Sequence, residues 1–178
     1  MINVTTKYLA ITLLCGFIST PLYADDKDDE REYEVKLYPL NGSGVYGEAE
    51  ITIKGTNVFK ISLEADGLEA NKLHPQHIHG LTDSIENASC PDISADVDGD
   101  GLISVGEGLP FYGPIVLPLT PFDLVVDNGE LDYDAKFTIN PESVQPIGKR
   151  TIVLHGMTVN GQYIASLPIA CGTIELDD

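Results

Sequence analysis

Residues 48–66 read EAEITIKGTNVFKISLEAD, and this stretch decides the fold. Apolar and polar residues alternate on both sides of the turn Gly55-Thr56-Asn57. Successive side chains of a β-strand point to opposite faces, so strict alternation indicates strands with one buried and one solvated face. Residues 48–66 therefore predict two antiparallel strands joined by a short turn.

The same alternation extends outward from this hairpin. On its N-terminal side, residues 34–39 alternate and are followed by the turn Asn41-Gly42-Ser43-Gly44. On its C-terminal side, no segment keeps a 3.6-residue apolar period, and six further short strands are predicted, at 115–119, 122–126, 132–139, 150–155, 163–167 and 171–176. Many short strands separated by Gly and Pro predict one all-β domain, an antiparallel sandwich or barrel, interrupted by residues 90–113.

The N-terminus has the pattern of an export signal. Lys7 precedes an apolar run, and small residues ending in Ala24 follow, so a signal peptide over 1–24 is predicted. Leu14 stands where a lipoprotein signal requires a small residue, which disfavours a lipid anchor on Cys15. The acidic stretch 25–33 is predicted to be a flexible leader, and the folded domain is expected to span 34–178 in the periplasm or outside the cell.

The charge excludes several classes of partner. The chain has 10 Lys and Arg against 28 Asp and Glu, a net charge of −18, which becomes −19 without Lys7. A strongly acidic surface repels phosphate groups, so nucleic acids and anionic membranes are not expected partners. The composition does not predict an oligomeric state.

Two cysteines remain after the signal peptide, Cys90 and Cys171. In an exported protein the simplest expectation is one disulfide between them, and two free buried thiols are the alternative. No Ser or Cys has the surroundings of a catalytic nucleophile, so a hydrolase is not supported.

Residues 96–107 read DVDGDGLISVGE and match the calcium loop of an EF-hand. The expected calcium ligands are Asp96, Asp98, Asp100, the carbonyl of Leu102, Ser104 and Glu107. Ile103 is expected to pack inward. Pro110 and Pro114 follow, so two normal flanking helices are not predicted, and a structural clamp of millimolar affinity is favoured over a switch. The alternative is an Asp- and Gly-rich turn that binds no metal.

Three of the four histidines lie in the segment Leu73-His74-Pro75-Gln76-His77-Ile78-His79-Gly80. His77 and His79 are two residues apart, so on a strand their imidazoles share one face. His155 ends the apolar segment 151–155. A His-x-His pair on a strand is a candidate metal site, whereas His74 is expected to face elsewhere.

These histidine segments resemble those of the Cu,Zn superoxide dismutases. Gly67-Leu68 with the histidines at 74, 77 and 79 is similar to that family's copper-binding strand, and residues 147–155 resemble the segment that leads to its distant copper histidine. Residues 169–174 resemble its closing disulfide strand, with Cys90 in the partner's place. The resemblance implies a Greek-key antiparallel β-sandwich with a calcium-loop insertion over 90–113. It also implies copper ligands at His77, His79 and His155, and a structural role for His74.

The family's other metal features are missing. No His occurs from 81 to 154, so the bridging histidine and zinc ligands have no counterpart and zinc is disfavoured. Pro168 stands where the family has an arginine that guides superoxide, and residues 156–178 contain no Lys or Arg. The sequence therefore favours a metal-binding protein that holds calcium and copper, with weak or absent dismutation. The alternatives are a copper enzyme acting on superoxide or another small oxidant, and a calcium-stabilised scaffold without copper.

Overall fold

The structure is a computed structural model that describes residues 30–55, 58–81, 86–122, 128–139 and 144–177. The predicted signal peptide, residues 25–29 of the predicted leader and most of the predicted strand 122–126 lie outside these residues. The strands are β1 (Glu30–Pro39), β2 (Tyr46–Lys54), β3 (Val58–Asp66), β4 (Gln76–His79), β5 (Ile115–Pro118), β6 (Leu131–Thr138), β7 (Thr151–Val159) and β8 (Gln162–Leu176). One α-helix, α1 (Val105–Tyr112), and 3-10 turns at Ile93–Ala95 and Ile147–Lys149 complete the described elements.

All strand pairs are antiparallel, in the order β5-β4-β7-β8-β1-β2-β3-β6. The long strand β8 pairs with β7 on one side and β1 on the other, so it joins the two halves of a curled sheet. One apolar cluster contains buried residues from both halves, such as Ile78 and Leu154 with Leu37 and Leu63. The described strands therefore form the predicted antiparallel all-β architecture, with both halves of the curled sheet packed around one core.

The hairpin predicted over 48–66 is formed by β2 and β3. Ile51 pairs with Ile61 and Ala49 with Leu63, and these four side chains are buried. Their polar neighbours in both strands are exposed or half-buried. Burial of apolar surface is the main favourable term in folding, and a shift of the pairing by one residue would turn the apolar side chains toward solvent. The alternation therefore fixes this register.

β1 begins at Glu30, so residues 30–33 of the segment predicted as a leader belong to a strand. Glu30 pairs with Lys54, and the Lys54 Nζ lies 2.7 Å from a Glu30 carboxylate oxygen. Tyr33 is buried and pairs with Ile51. The charged side chains of this segment remain exposed while its backbone completes the ladder to β2, so a charged composition did not prevent strand formation.

Two predicted strands near the C-terminus, 163–167 and 171–176, form one strand. β8 runs through Pro168 without interruption. Pro168 pairs with His155 at a point where the register between β7 and β8 shifts. A bulge is a position at which a strand tolerates proline, because no regular ladder hydrogen bond is required of its nitrogen there.

The insertion 90–113 contains a helix that the sequence did not predict. Ser104 caps the N-terminus of α1, and Glu107 completes a capping box, which favours the helix despite Pro110 in its interior. Among the described residues, a short 3-10 turn precedes the loop and α1 begins within it. No helix in the described part of the chain is long and apolar enough to cross a membrane.

The insertion covers the outer face of β7 and β8 and forms a second, smaller core. Ile103 packs inward as predicted, with Tyr112, Val153 and Cys171. The predicted disulfide joins Cys90 to Cys171, with 5.7 Å between their Cα atoms. Asn41 adds a second tie, because its amide donates to the Ile103 carbonyl over 3.0 Å and its carbonyl accepts from the Ile103 N–H over 2.6 Å. The insertion is thereby fixed beside the histidine-bearing strands.

Candidate metal centre

The register between β4 and β7 brings three histidines together. His77 pairs with Val153 and Gln76 with Leu154. Continuing along β7, the N–H of His155 donates to the Pro75 carbonyl over 2.9 Å. Because side chains alternate along each strand, His155 falls on the face that carries His77 and His79.

The three rings form a tight group. Their centroids are 5.1 Å apart between His77 and His155 and 5.7 Å apart in each of the other two pairs. One ligand nitrogen from each ring lies within 4.8 Å of the other two. This is close enough for all three rings to bind a single ion.

Backbone carbonyls orient two of the rings. The Nδ1 of His79 lies 2.8 Å from the Gly113 carbonyl oxygen, and the Nδ1 of His155 lies 2.8 Å from that of Ser166. A neutral ring that donates from Nδ1 keeps a lone pair on Nε2, and metal-binding histidines are commonly fixed this way. These contacts aim both Nε2 atoms into the group.

The group contains polar atoms that have no partner within the protein. Nε2 of His79, Nε2 of His155 and Nδ1 of His77 are all buried without a hydrogen bond. Buried polar atoms nearly always have a hydrogen-bond partner, so three ring nitrogens without one require an explanation. A bound metal ion supplies one, because imidazole nitrogen is a good ligand for copper and zinc ions.

Burial also holds the rings in the form that a metal requires. It lowers the pKa of His155 from 6.5 to about 3, and burial together with the neighbouring His79 lowers the pKa of His77 to about 4. Burial likewise lowers the pKa of His79. Since only neutral imidazole binds a metal, all three rings are ready at neutral pH.

The metal-free protein is expected to lose stability as the pH falls below 6.5. In that range the unfolded chain protonates at position 155 and the folded chain does not until about pH 3. The free energy of unfolding should therefore fall by up to about 1.4 kcal/mol per pH unit from this residue. Urea unfolding at about pH 7, 6 and 5 measures the slope, and His155→Gln should reduce it. Equal slopes for the variant and the wild type would contradict the assignment.

His74 lies outside the group, as its predicted structural role requires. Its Nδ1 lies 3.1 Å from the His155 carbonyl oxygen and its Nε2 lies 3.1 Å from that of Glu69, so both nitrogens have partners. Gly156 allows this packing: it has φ +107°, and a Cβ there would lie 2.1 Å from the Tyr163 hydroxyl oxygen. His74 and Gly156 thus support the bulge that carries His155.

An open cavity of about 480 Å³ lies over the histidines. The helix α1 contributes Val105 and Leu109 to its wall, and Phe122 stands edge-on to His77 with ring centroids 5.5 Å apart. Beside the cavity, the Tyr112 ring contacts His79 at 4.8 Å between centroids. The described lining residues are Pro75, His77, His79, Val105, Leu109, Pro114, Ile115, Phe122, His155, Ala165 and Ser166.

No Lys or Arg occurs among the described residues that line this cavity. Arg150 is next to β7 but serves a structural role. Its guanidinium donates to the carbonyls of Leu81 and Gln145 over 2.9 and 2.8 Å and to that of Val144 over 3.3 Å. The guanidinium is therefore held by backbone carbonyls and is not among the described residues that line the cavity.

The loop 96–107 brings together part of its predicted calcium ligand set. One oxygen each from Asp96, Asp98 and Glu107 lies within 4.8 Å of the others. Both Asp96 oxygens accept backbone N–H groups of the loop, and Asp100 accepts the N–H of Leu102. The Glu107 carboxylate accepts three N–H groups, and its hydrogen bonds with Ser104 are the main cause that lowers its pKa to about 2. Carboxylates of the loop therefore hold its backbone together through hydrogen bonds to its own N–H groups.

Sequence reasoning did not identify the atoms that orient the rings or the walls of the cavity. Gly113 and Ser166 act through backbone carbonyls, which every residue has, so no residue pattern indicates them. Val105 and Leu109 belong to an unpredicted helix.

No protein-family model matches the chain, and no curated protein matches it in sequence. Several solved structures are similar in fold. Superoxide dismutase 5 of Candida albicans, in a mutant form, is 17% identical with a TM-score of 0.44, over 83% of this chain and 93% of that one. The Cu(II) form of that protein is 15% identical with a TM-score of 0.43, over 84% and 94% of the two chains. A double mutant of a superoxide dismutase-like protein from Bacillus subtilis is 19% identical with a TM-score of 0.45, over 79% and 95%. At these identities the likeness concerns the fold alone.

Proposed function

We propose that this chain is an exported metal-binding protein that holds copper through His77, His79 and His155, with slow or absent superoxide dismutation. The carrying observation is that each of the three rings places a ligand nitrogen within 4.8 Å of the other two, and that each ring has one buried nitrogen without a hydrogen bond. Copper has the highest affinity of the divalent first-row ions for such a site. The disulfide supports an oxidising compartment, the periplasm or the extracellular space.

The residues of the site have distinct roles in this proposal. His77, His79 and His155 bind the ion, while the carbonyls of Gly113 and Ser166 hold two of the rings in the required orientation. Phe122 and α1 shield the group from one side. Bound copper would supply one-electron redox chemistry, with superoxide or another small oxidant as the reactant.

Slow dismutation follows from electrostatics. The chain carries a net charge of −18, and the described cavity lining offers no cation to attract a superoxide anion. Fast enzymes of this kind depend on such steering to approach the diffusional limit. Storage or delivery of copper makes no such demand on the surrounding charge.

The proposed copper function is tested by metal content and activity. Protein purified from its own compartment should contain about one copper per chain, and zinc in equal amount should not displace it. Superoxide decay should be far slower than the diffusional limit and slower still with His155→Ala. The absence of copper, with no uptake on dialysis, would refute copper binding, and decay near the diffusional limit would refute slow dismutation.

We further propose that the loop 96–107 binds calcium as a structural clamp. Oxygens of Asp96, Asp98 and Glu107 already lie together, and Asp100, Ser104 and the Leu102 carbonyl complete the ligand set expected from the sequence. Hard cations such as calcium prefer these oxygen ligands. The clamp would hold α1 against the histidine face.

Calcium is expected to raise the melting temperature, and Glu107→Gln is expected to abolish this response. Calcium in tenfold excess over its Kd stabilises the folded state by about 1.4 kcal/mol. Glutamine keeps the capping box of α1 but lacks the charge of a bidentate calcium ligand, so this variant separates the two roles of Glu107. Thermal unfolding with millimolar calcium or with a chelator provides the measurement.

The matched control for this experiment is Asp92→Asn. Asp92 is an acid near the loop that caps the 3-10 turn at Ile93–Ala95, and asparagine preserves that cap. This variant should respond to calcium like the wild type. An unchanged response in Glu107→Gln, or no response in the wild type, would refute the clamp.

A further inference from the structure

The cavity over the histidines has an apolar wall that the proposed metal site does not require. Val105, Leu109 and Ile115 are 39%, 44% and 49% exposed, although large apolar side chains are normally buried. All three line this one cavity. Exposed apolar side chains concentrated in a concavity indicate a ligand or partner surface.

The described lining is uncharged and mostly apolar. The described lining residues include no Asp, Glu, Lys or Arg, and its polar side chains are the three histidines and Ser166. A charged ligand entering the metal-free cavity would lose hydration without gaining an ion pair from the described lining, which costs several kcal/mol. An uncharged apolar ligand would instead gain by removing the exposed side chains from water.

We propose that this cavity binds a neutral aromatic molecule of one or two fused rings, seated against Val105, Leu109 and Phe122 and facing the histidines. The volume of about 480 Å³ exceeds the roughly 150 Å³ of an engineered apolar cavity that binds benzene, so there is room for a two-ring molecule. Phe122 already contacts His77 edge to face, the geometry that aromatic pairs prefer. The concave shape favours a small molecule over a protein surface.

This inference rests on the proposed function in one respect only, which is that the bound aromatic molecule would lie beside copper. Binding itself needs the cavity, which is lined by the protein's own side chains. The two proposals can therefore fail separately. Copper uptake without aromatic binding would refute this inference, and aromatic binding without copper uptake would refute the proposed function.

The test compares 2-naphthol, which is neutral at pH 7, with 2-naphthoate, an anion of similar size. Calorimetry on the metal-free full chain should give a naphthoate affinity at least about tenfold below that of naphthol. In the metal-free protein, nuclear magnetic resonance should show naphthol shifting the ring signals of Phe122 and the three histidines. Equal affinities, or shifts confined to other residues, would overturn the proposal.

The diagnostic variant is Leu109→Lys. It removes apolar wall and adds a cation at the mouth of the cavity, so naphthol affinity should fall by about fivefold and the preference over naphthoate should shrink. Leu176→Lys is the control, because Leu176 is also exposed, at 56%, but lies at the end of β8 and does not line the cavity. An unchanged preference in Leu109→Lys, or an equal change in Leu176→Lys, would place the molecule elsewhere and refute the proposed site.

Discussion

Replacing His155 with alanine is expected to weaken copper binding by at least about 100-fold. Substituting a residue that only supports a metal ligand costs about 10- to 100-fold in affinity, so the loss of a ligand should cost at least the upper value. Copper would retain only His77 and His79 from the group. Competition with a chelator of known affinity, for both cuprous and cupric ion, measures the effect.

The matched control for this prediction is His74→Gln. His74 is as deeply buried as His155 and contacts its carbonyl, but both of its ring nitrogens have backbone partners. This variant should lose stability while still binding one copper ion with an affinity within about tenfold of the wild type. A similar loss of affinity in both variants would show that the effect of His155→Ala arises from general disruption.

Removal of the disulfide is expected to lower the free energy of unfolding by about 4 to 5 kcal/mol. The bond closes a loop with a sequence separation of 81, which on the chain-entropy model gives this value. For a chain of this size the melting temperature should fall by roughly 10 to 15 °C. The double variant Cys90→Ala, Cys171→Ala avoids a buried hydroxyl at position 171, which is 1% exposed.

Two comparisons make the disulfide prediction specific. Each single alanine variant should lose as much stability as the double variant, because either change removes the bond. The wild type in reducing agent should behave similarly. A double variant within about 1 kcal/mol of the wild type would show that the second core, rather than the crosslink, holds the insertion in place.

Strands were predictable where apolar and polar residues alternate and were not predictable where this alternation is missing. The hairpin of β2 and β3 was predictable because Ile51, Ile61 and their neighbours alternate strictly with polar residues. The start of β1 was not predictable, because Glu30 and Glu32 are exposed and form a strand only through backbone pairing with β2. The helix α1 was not predicted, because Pro110 argued against a helix while the capping box that favours it was overlooked.

The sequence by itself determined the all-β class, the disulfide partners and the shared face of His77 and His79, because alternation and residue type express these features directly. Its resemblance to the superoxide dismutases also indicated His155 as their companion. Only the tertiary structure decided how the rings are oriented and what surrounds them. That outcome depends on the carbonyls of Gly113 and Ser166 and on an insertion packed against the outer face of β7 and β8. Backbone atoms carry no residue identity, and packing between distant segments leaves no local pattern, so the chain had to fold before either was defined.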